Sequence, residues 1–176
     1  MQDDTRNVID EFKGKPHEEI REILDANGRL LRIACENTLR DFNMGSIVRT
    51  ANGLGVRHVH IIGRRTWNKR GAMATNKYLT VHYHATIDDF SQAMREIGYH
   101  VIGIENNVIS QSVQDAKLPE RSVLVFGQEG PGISDEFLSV CDSILHIDQY
   151  GSTRSLNVGH AAAIAMYEWS RQHPVK

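Results

Sequence analysis

LLRIACENTLRDFNMGSIVRTANGLGVRHVHII, residues 30–62, decides the fold. Leu30 to Cys35 is an apolar run that reads as a strand. From Asn43 to Leu54, residues Met44, Ile47, Val48, Ala51 and Leu54 recur on one helical face, and Gly55 ends that helix. Val56 to Ile62 is again strand-like. A strand, a helix and a second strand over so short a span make a crossover unit, whose strands lie parallel.

The alternation continues in both directions. Upstream, His17 to Asn27 follows Pro16, carries Ile20, Ile23 and Leu24, and stops at Gly28, a helix with start and stop signals. Gly63 to Asn76 has no periodicity and reads as a loop. A short strand around Val81 to His84 follows, then a helix from Ile87 to Ile97 with Thr86 as N-cap. Tyr99 to Ile104 and Ser122 to Phe126 are apolar runs of the buried-strand type. Ser134 caps a short helix, Asp135 to Val140, whose first turn carries Asp135 and Glu136, the favourable end for acids. Ile144 to Ile147 is a last strand, and Asn157 to Arg171 a last, alanine-rich helix. Strands separated by helices imply one α/β domain with a mostly parallel sheet and helices on both faces.

Composition limits the function. The 176 residues carry a net charge of −2, with 40% hydrophobic and 24% charged residues, an ordinary globular balance. No run approaches the length that spans a bilayer, and the polar start MQDDTRNVIDEFKGK is not a secretory signal. Cys35 and Cys141 lack partners at ligand spacing, so they read as buried free thiols, with no metal, in the cytoplasm. The charge is unevenly spread. Phe42 to Ile87 contains none of the chain's 22 acids, but holds Arg49, Arg57, Arg64, Arg65, Lys69, Arg70 and Lys77, with His58, His60, His82 and His84. An acid-free basic surface suits a polyanion, although a merely solvated face gives the same pattern.

Three segments at strand-to-helix junctions, where such sheets bind ligands, have unusual composition. In Asn37 to Gly55, Asn43 opens the helix and Arg49 lies among Ile47, Val48 and Ala51; the alternatives are an N-cap with a structural ion pair, or a site. The six-residue spacing does not by itself bring the two together. In VFGQEGPGIS, residues 125–134, three glycines and a proline bend a loop tightly, with Glu129 near its tip as base, acceptor or solvated acid. It is neither a dinucleotide fingerprint nor a phosphate-binding loop. In HIDQYGSTRSLNVGH, residues 146–160, Ser155 and Asn157 stand where the last helix begins. Gly159 and Ala161 to Ala163 permit close packing, so a capped, tightly packed helix is the simpler reading of that segment alone.

Together, in this order, these segments resemble the three motifs of the SpoU/TrmH family of RNA ribose 2′-O-methyltransferases, within the SPOUT superfamily. The resemblance covers about residues 30 to 171, and its third motif is highly specific. It implies a SpoU-type methyltransferase domain over residues 30–176, with residues 1–29 an N-terminal extension of one helix. It also implies a deep C-terminal trefoil knot, an exception to unknotted connections. The implied cofactor is S-adenosylmethionine, held by Phe126, Gly127, Gln128 and Gly130, by Ile147, Gln149 and Gly151, and by Ser155, Leu156 and Val158. Implied too are a homodimer and catalytic roles for Asn43, Arg49, Glu129, Ser155 and Asn157. Arg49 is then either a base or a phosphate clamp, and a guanidinium that stays protonated favours the clamp.

On that reading the basic stretch meets RNA phosphates through Arg49, Arg64, Arg65, Lys69 and Arg70, and Trp67 either stacks on a base or packs in its loop. The segment from Lys77 through Gly127 favours transfer RNA over ribosomal RNA. With one added helix, recruitment is expected to rest on the catalytic domain or on another protein. The competing functions are a non-catalytic RNA-binding or ribosome-assembly protein on the same fold, and a nucleotide-dependent oxidoreductase. The intact polar positions speak against the first, and the missing glycine fingerprint against the second.

Overall fold

The structure, a computed structural model, describes residues 4–38, 43–106 and 109–175. In chain order its elements are α1 (His17–Ala26), β1 (Arg29–Asn37), α2 (Met44–Gly53), β2 (Val56–Gly63), β3 (Thr80–His84), α3 (Ile87–Glu96), β4 (His100–Ile104), β5 (Gln111–Ser112), β6 (Ser122–Phe126), α4 (Asp135–Ser139), β7 (Ser143–His146) and α5 (Val158–Gln172). Most bounds lie within a residue or two of the sequence expectation, the usual scatter at element ends. The expected loop after Gly63 contains two single turns of 3-10 helix, Arg70–Ala72 and Thr75–Tyr78.

The strands form one sheet in the order β3-β2-β1-β6-β4-β7-β5, and every pairing is parallel. From β1 the chain first builds outward to β2 and β3, then returns to build the other half. The reversal falls between β1 and β6, where Cys35 lies opposite Phe126. A crevice opens at the carboxyl ends of strands at such a point. The first motif segment follows β1 and the second follows β6.

Alternation along the central strands splits the core into two layers. Leu31, Ile33 and Cys35 of β1 join Leu124 and Phe126 of β6 beneath α2 and α5, packed with Ile47, Ala51, Ala162, Met166 and Trp169. Ala34, Val123 and Val125 face the opposite way, against Phe90 and Met94 of α3 and Phe137 of α4. Trp169 is fully buried, and its Nε1–H donates to the Pro119 carbonyl at 2.9 Å, so its polar edge is satisfied as burial requires. Thr86 and Asp89 form a reciprocal capping box on α3, and Ser134 caps α4 through the Phe137 amide.

The N-terminal segment packs through Phe12 and Ile20 onto Tyr78. Gly28 ends α1 without a left-handed backbone. A Cβ there would lie 2.4 Å from Arg57 Cγ, so close packing, not positive φ, calls for glycine. Gly55, at φ 77°, does close α2 in the left-handed region.

Candidate active site

The three motif segments meet through side chains. Asn157 occupies the N-cap of α5, where its Oδ1 accepts the amides of Gly159 (3.0 Å) and His160 (3.4 Å). Its Nδ2 donates to Asn43 Oδ1 at 2.9 Å and to Glu129 Oε1 at 3.5 Å. Asn43 Nδ2 donates to Glu129 Oε2 at 2.8 Å, which closes a three-membered polar ring. Asn43 stands at the N-cap position of α2 but makes no side-chain cap bond. The N-cap reading of Asn43 is therefore corrected: its amide is committed to the ring.

A cavity of about 650 Å³ opens beside this ring, walled by Asn43, Ser46, Arg49, Gly71, Asn157 and His160 among others. Arg49 is exposed on α2 and, among the described residues, makes no ion pair or hydrogen bond, so the structural ion pair considered for it is absent. An unpaired guanidinium on a cavity wall presents planar, forked donors to an incoming anion. Ser155 lies exposed on the loop before α5 and is not drawn into the polar ring. Residues 39–42 of the first motif segment lie outside the described residues.

Gly127 to Ser134 form a tight loop held from three sides. Gln128 and Gly132 exchange backbone hydrogen bonds of 3.0 Å, and Gln128 Nε2 donates to Thr38 Oγ1 at 2.6 Å. Glu105 accepts the Ile133 amide and Glu36, almost wholly buried, accepts that of Ser134, both at 2.9 Å. A Cβ on Gly127 would sit 2.1 Å from the Gly132 carbonyl carbon, so no other residue fits there without moving backbone. Across the sheet, Asp148 follows β7; the Ser112 hydroxyl that donates to it at 2.5 Å holds its carboxyl below the usual range.

A model of the SpoU rRNA Methylase family matches residues 30–167. The chain belongs to the SpoU methylase family. It is 26% identical over 157 residues to the tRNA (guanosine(18)-2′-O)-methyltransferase of Thermus thermophilus, covering 87% of this chain and 80% of that one. The solved A. aeolicus TrmH/SpoU tRNA modifying enzyme superposes with a TM-score of 0.77 over 89% of this chain and 81% of that one, at 24% identity, which shows the shared α/β fold. The SpoU methyltransferase AviRb from Streptomyces viridochromogenes, solved with its cofactor AdoMet, superposes with a TM-score of 0.70 at 25% identity, over 80% of this chain and 57% of that one.

The loops of this SpoU member suit an adenosyl group. Gly130 and Gly151 leave open space where a Cβ would project, so a ligand can approach their backbone. Gln149 Oε1 is buried with no hydrogen-bond partner among the described residues, an acceptor matched to a donor such as an exocyclic amine. Leu156 is exposed on the loop before α5, and Phe126 is buried at the end of β6. Among the described residues, no group of three or more His, Cys, Asp or Glu is placed to hold a metal ion.

The basic surface is narrower than the sequence implied. Arg57 is buried; its Nε pairs with Asp25 at 2.8 Å and its Nη2 donates to the Tyr78 carbonyl, so it is structural. His58 and His82 approach ring to ring at 3.0 Å, and His60 and His84 at 2.9 Å. Burial pushes His58 down to about 4 and lowers the other three, so these rings carry no charge near neutrality. Arg64, Arg65, Lys69, Arg70 and Lys77 remain exposed. Trp67 packs against the core and its Nε1 is buried, so the packed reading of this aromatic holds.

Sequence reasoning missed Ser46, Gly71 and His160 on the cavity wall, and Glu36 and Glu105 beneath the glycine loop. One signal was available: Asn43, Ser46 and Thr50 succeed one another at three and four residues, a single face of α2 that Arg49 flanks. Gly71 reaches the cavity because the loop rests on the start of α2, where a Cβ on Gly45 would meet the Ala72 amide nitrogen at 2.8 Å.

Proposed function

We propose that this chain transfers a methyl group from S-adenosylmethionine to a ribose 2′-hydroxyl of RNA, with transfer RNA favoured over ribosomal RNA. It is an S-adenosylmethionine-dependent RNA 2′-O-methyltransferase, and one observation carries its mechanism. The Asn43–Glu129–Asn157 ring, built from three distant segments, stands beside a cavity whose wall holds Arg49, which has no ion pair among the described residues.

When bound, S-adenosylmethionine supplies a methyl group made electrophilic by its sulfonium. Gly127, Gln128 and Gly130, with Ile147, Gln149 and Gly151, hold the adenosyl part through backbone groups and the unpartnered Gln149 oxygen. Ser155, Leu156 and Val158 close the third side. Arg49 clamps a phosphate beside the target ribose, and fixing the hydroxyl in an attacking position supplies much of the rate. The ring keeps the starts of α2 and α5 and the tip of the glycine loop in register around that ribose. Arg64, Arg65, Lys69 and Arg70 neutralise further phosphates, which gives affinity rather than sequence choice.

Residues 30–176 are read as the methyltransferase domain and residues 1–29 as an extension clamped onto it. The C-terminal part of the chain is read as a deep trefoil knot, as the family resemblance implies. The exposed Ile164 and Tyr167 of α5, with the small Ala161 and Ala163, form the face on which a second copy packs. No helix among the described residues is long and apolar enough to cross a membrane, and the cytoplasm is the compartment proposed. Nucleoside mass spectrometry of cellular RNA with and without the gene tests the function. A lost 2′-O-methylated nucleoside is expected and names base and RNA together; an unchanged profile overturns the reading.

A further inference from the structure

The 2′-hydroxyl must lose its proton, and the cavity wall offers few groups to take it. A guanidinium is a poor proton acceptor in proteins. Both carboxylate oxygens of Glu129 already accept hydrogen bonds from the amides of Asn43 and Asn157. Ser46 and Thr50 are hydroxyls, poor acceptors of a full proton. Among the described residues, that leaves His160 as the one other ionisable side chain on the wall. Its backbone amide is held by Asn157, but neither ring nitrogen has a partner among the described residues. Gly159 seats it: a Cβ there would lie 3.7 Å from both Asn43 Oδ1 and Ser46 Cβ, so the first turn of α5 lies against the start of α2. Imidazole is also the side chain whose ordinary titration falls nearest neutral pH.

We propose that His160 is the proton acceptor for the hydroxyl that becomes methylated. This rests on the methyltransferase reading above. The hydroxyl proton passes to a free ring nitrogen of His160 and then to water. The oxygen lone pair forms the new bond to the methyl carbon, and the carbon–sulfur electron pair stays on sulfur. Arg49 holds the neighbouring phosphate and takes no proton. The division gives one cation for binding and one base for chemistry, side by side on one wall.

The test compares wild type with His160→Gln, which keeps polarity and size but cannot take the proton. At saturating transfer-RNA transcript and S-adenosylmethionine, kcat is expected to fall about 100-fold or more, the usual contribution of a general base. The wild-type pH–rate profile should show a break to a plateau, whereas the variant should lack that break and rise with hydroxide throughout. Calorimetric binding of S-adenosylmethionine and the melting temperature should be unchanged. Added imidazole should restore part of the activity of His160→Gly. Independently of turnover, the ring resonance of His160 in histidine-labelled protein should shift when the transcript is added. A His160→Gln kcat within about threefold of wild type, or a loss confined to RNA affinity, overturns the proposal and makes His160 bystander or phosphate contact. An unshifted resonance also overturns it. A wild type that binds S-adenosylmethionine and transcript but transfers no methyl group defeats the methyltransferase reading instead.

Discussion

Replacing Asn157 by alanine and by aspartate separates two tasks that one side chain performs. Its Oδ1 caps α5 through Gly159 and His160, and its Nδ2 closes the ring to Asn43 and Glu129. Alanine removes both. A lost N-cap costs about 1 kcal/mol, and the lost donor bonds on a half-buried side chain add about 1 kcal/mol. A sum of about 2 kcal/mol lowers the melting temperature of a chain this size by about 4–8 °C. Aspartate keeps the cap and places negative charge at a helix start, a gain of about 0.5 kcal/mol. Against this, the Oε1 of Glu129 lies 3.5 Å from the position of Nδ2. Repulsion across such a solvated gap costs about 1 kcal/mol. Aspartate also loses the two donor bonds, about 1 kcal/mol, so a net loss of about 1.5 kcal/mol should lower its melting temperature by about 3–6 °C, less than alanine does. Both variants nonetheless open the ring, and methyl transfer to a transfer-RNA transcript should fall alike in both. Thermal melts followed by circular dichroism and single-turnover transfer of labelled methyl groups give the two readings. Wild-type activity in Asn157→Asp would refute the ring as an organiser, and an unshifted melt in Asn157→Ala would refute the cap.

Other outcomes follow from the same geometry. Reversing Arg64, Arg65 and Arg70 to glutamate should weaken transcript binding and flatten its salt dependence by about 2–3 units of slope, one released counterion per lost contact. S-adenosylmethionine binding should persist, and equal RNA affinity at moderate salt would sink the assignment. Gly127→Ala should abolish cofactor binding by calorimetry, because its Cβ would fall 2.1 Å from the Gly132 carbonyl carbon; retained affinity would show that the loop yields. The histidine pairs make a pH prediction. His58 is pushed down to about 4, and His60, His82 and His84 are lowered, chiefly by burial. Between that range and the ordinary histidine value, the unfolded chain binds more protons than the folded one. Stability is therefore whole above about pH 6.5 and declines as pH falls from there toward 4. A melting temperature that stays flat from pH 7 to 5 would contradict the burial of these rings.

How much was legible in the sequence depended on the range of the interaction. The strands at Val56 to Ile62 and Ser122 to Phe126, and the caps at Thr86 and Ser134, are local and were read correctly. Strand β5 is two residues long inside a polar stretch, too short for any periodicity to register, and the turns at Arg70–Ala72 and Thr75–Tyr78 are single turns without an apolar face. The charge pattern misled because a formal charge does not say where its side chain goes. Arg57 turned inward to Asp25, and four histidines of the basic window stacked on one another between β2 and β3. The cysteine reading was only half right, since Cys35 is buried but Cys141 is partly exposed. No pattern confined to those segments distinguishes these outcomes from exposure.

The polar ring shows the same limit from the other side. Asn43 and Glu129 are 86 residues apart, and Asn157 and Asn43 are 114 apart. Each residue taken within its own segment had an adequate local explanation as cap, solvated acid or loop residue. What removes those explanations is the strand order, because only the placement of β6 beside β1 brings the glycine loop over the start of α2. The site is thus a product of the sheet reversal, and it forms only when both halves of the sheet are paired. It follows that changes which loosen β1 from β6 should cost activity before they cost secondary structure, since both helices persist while the ring that spans them opens.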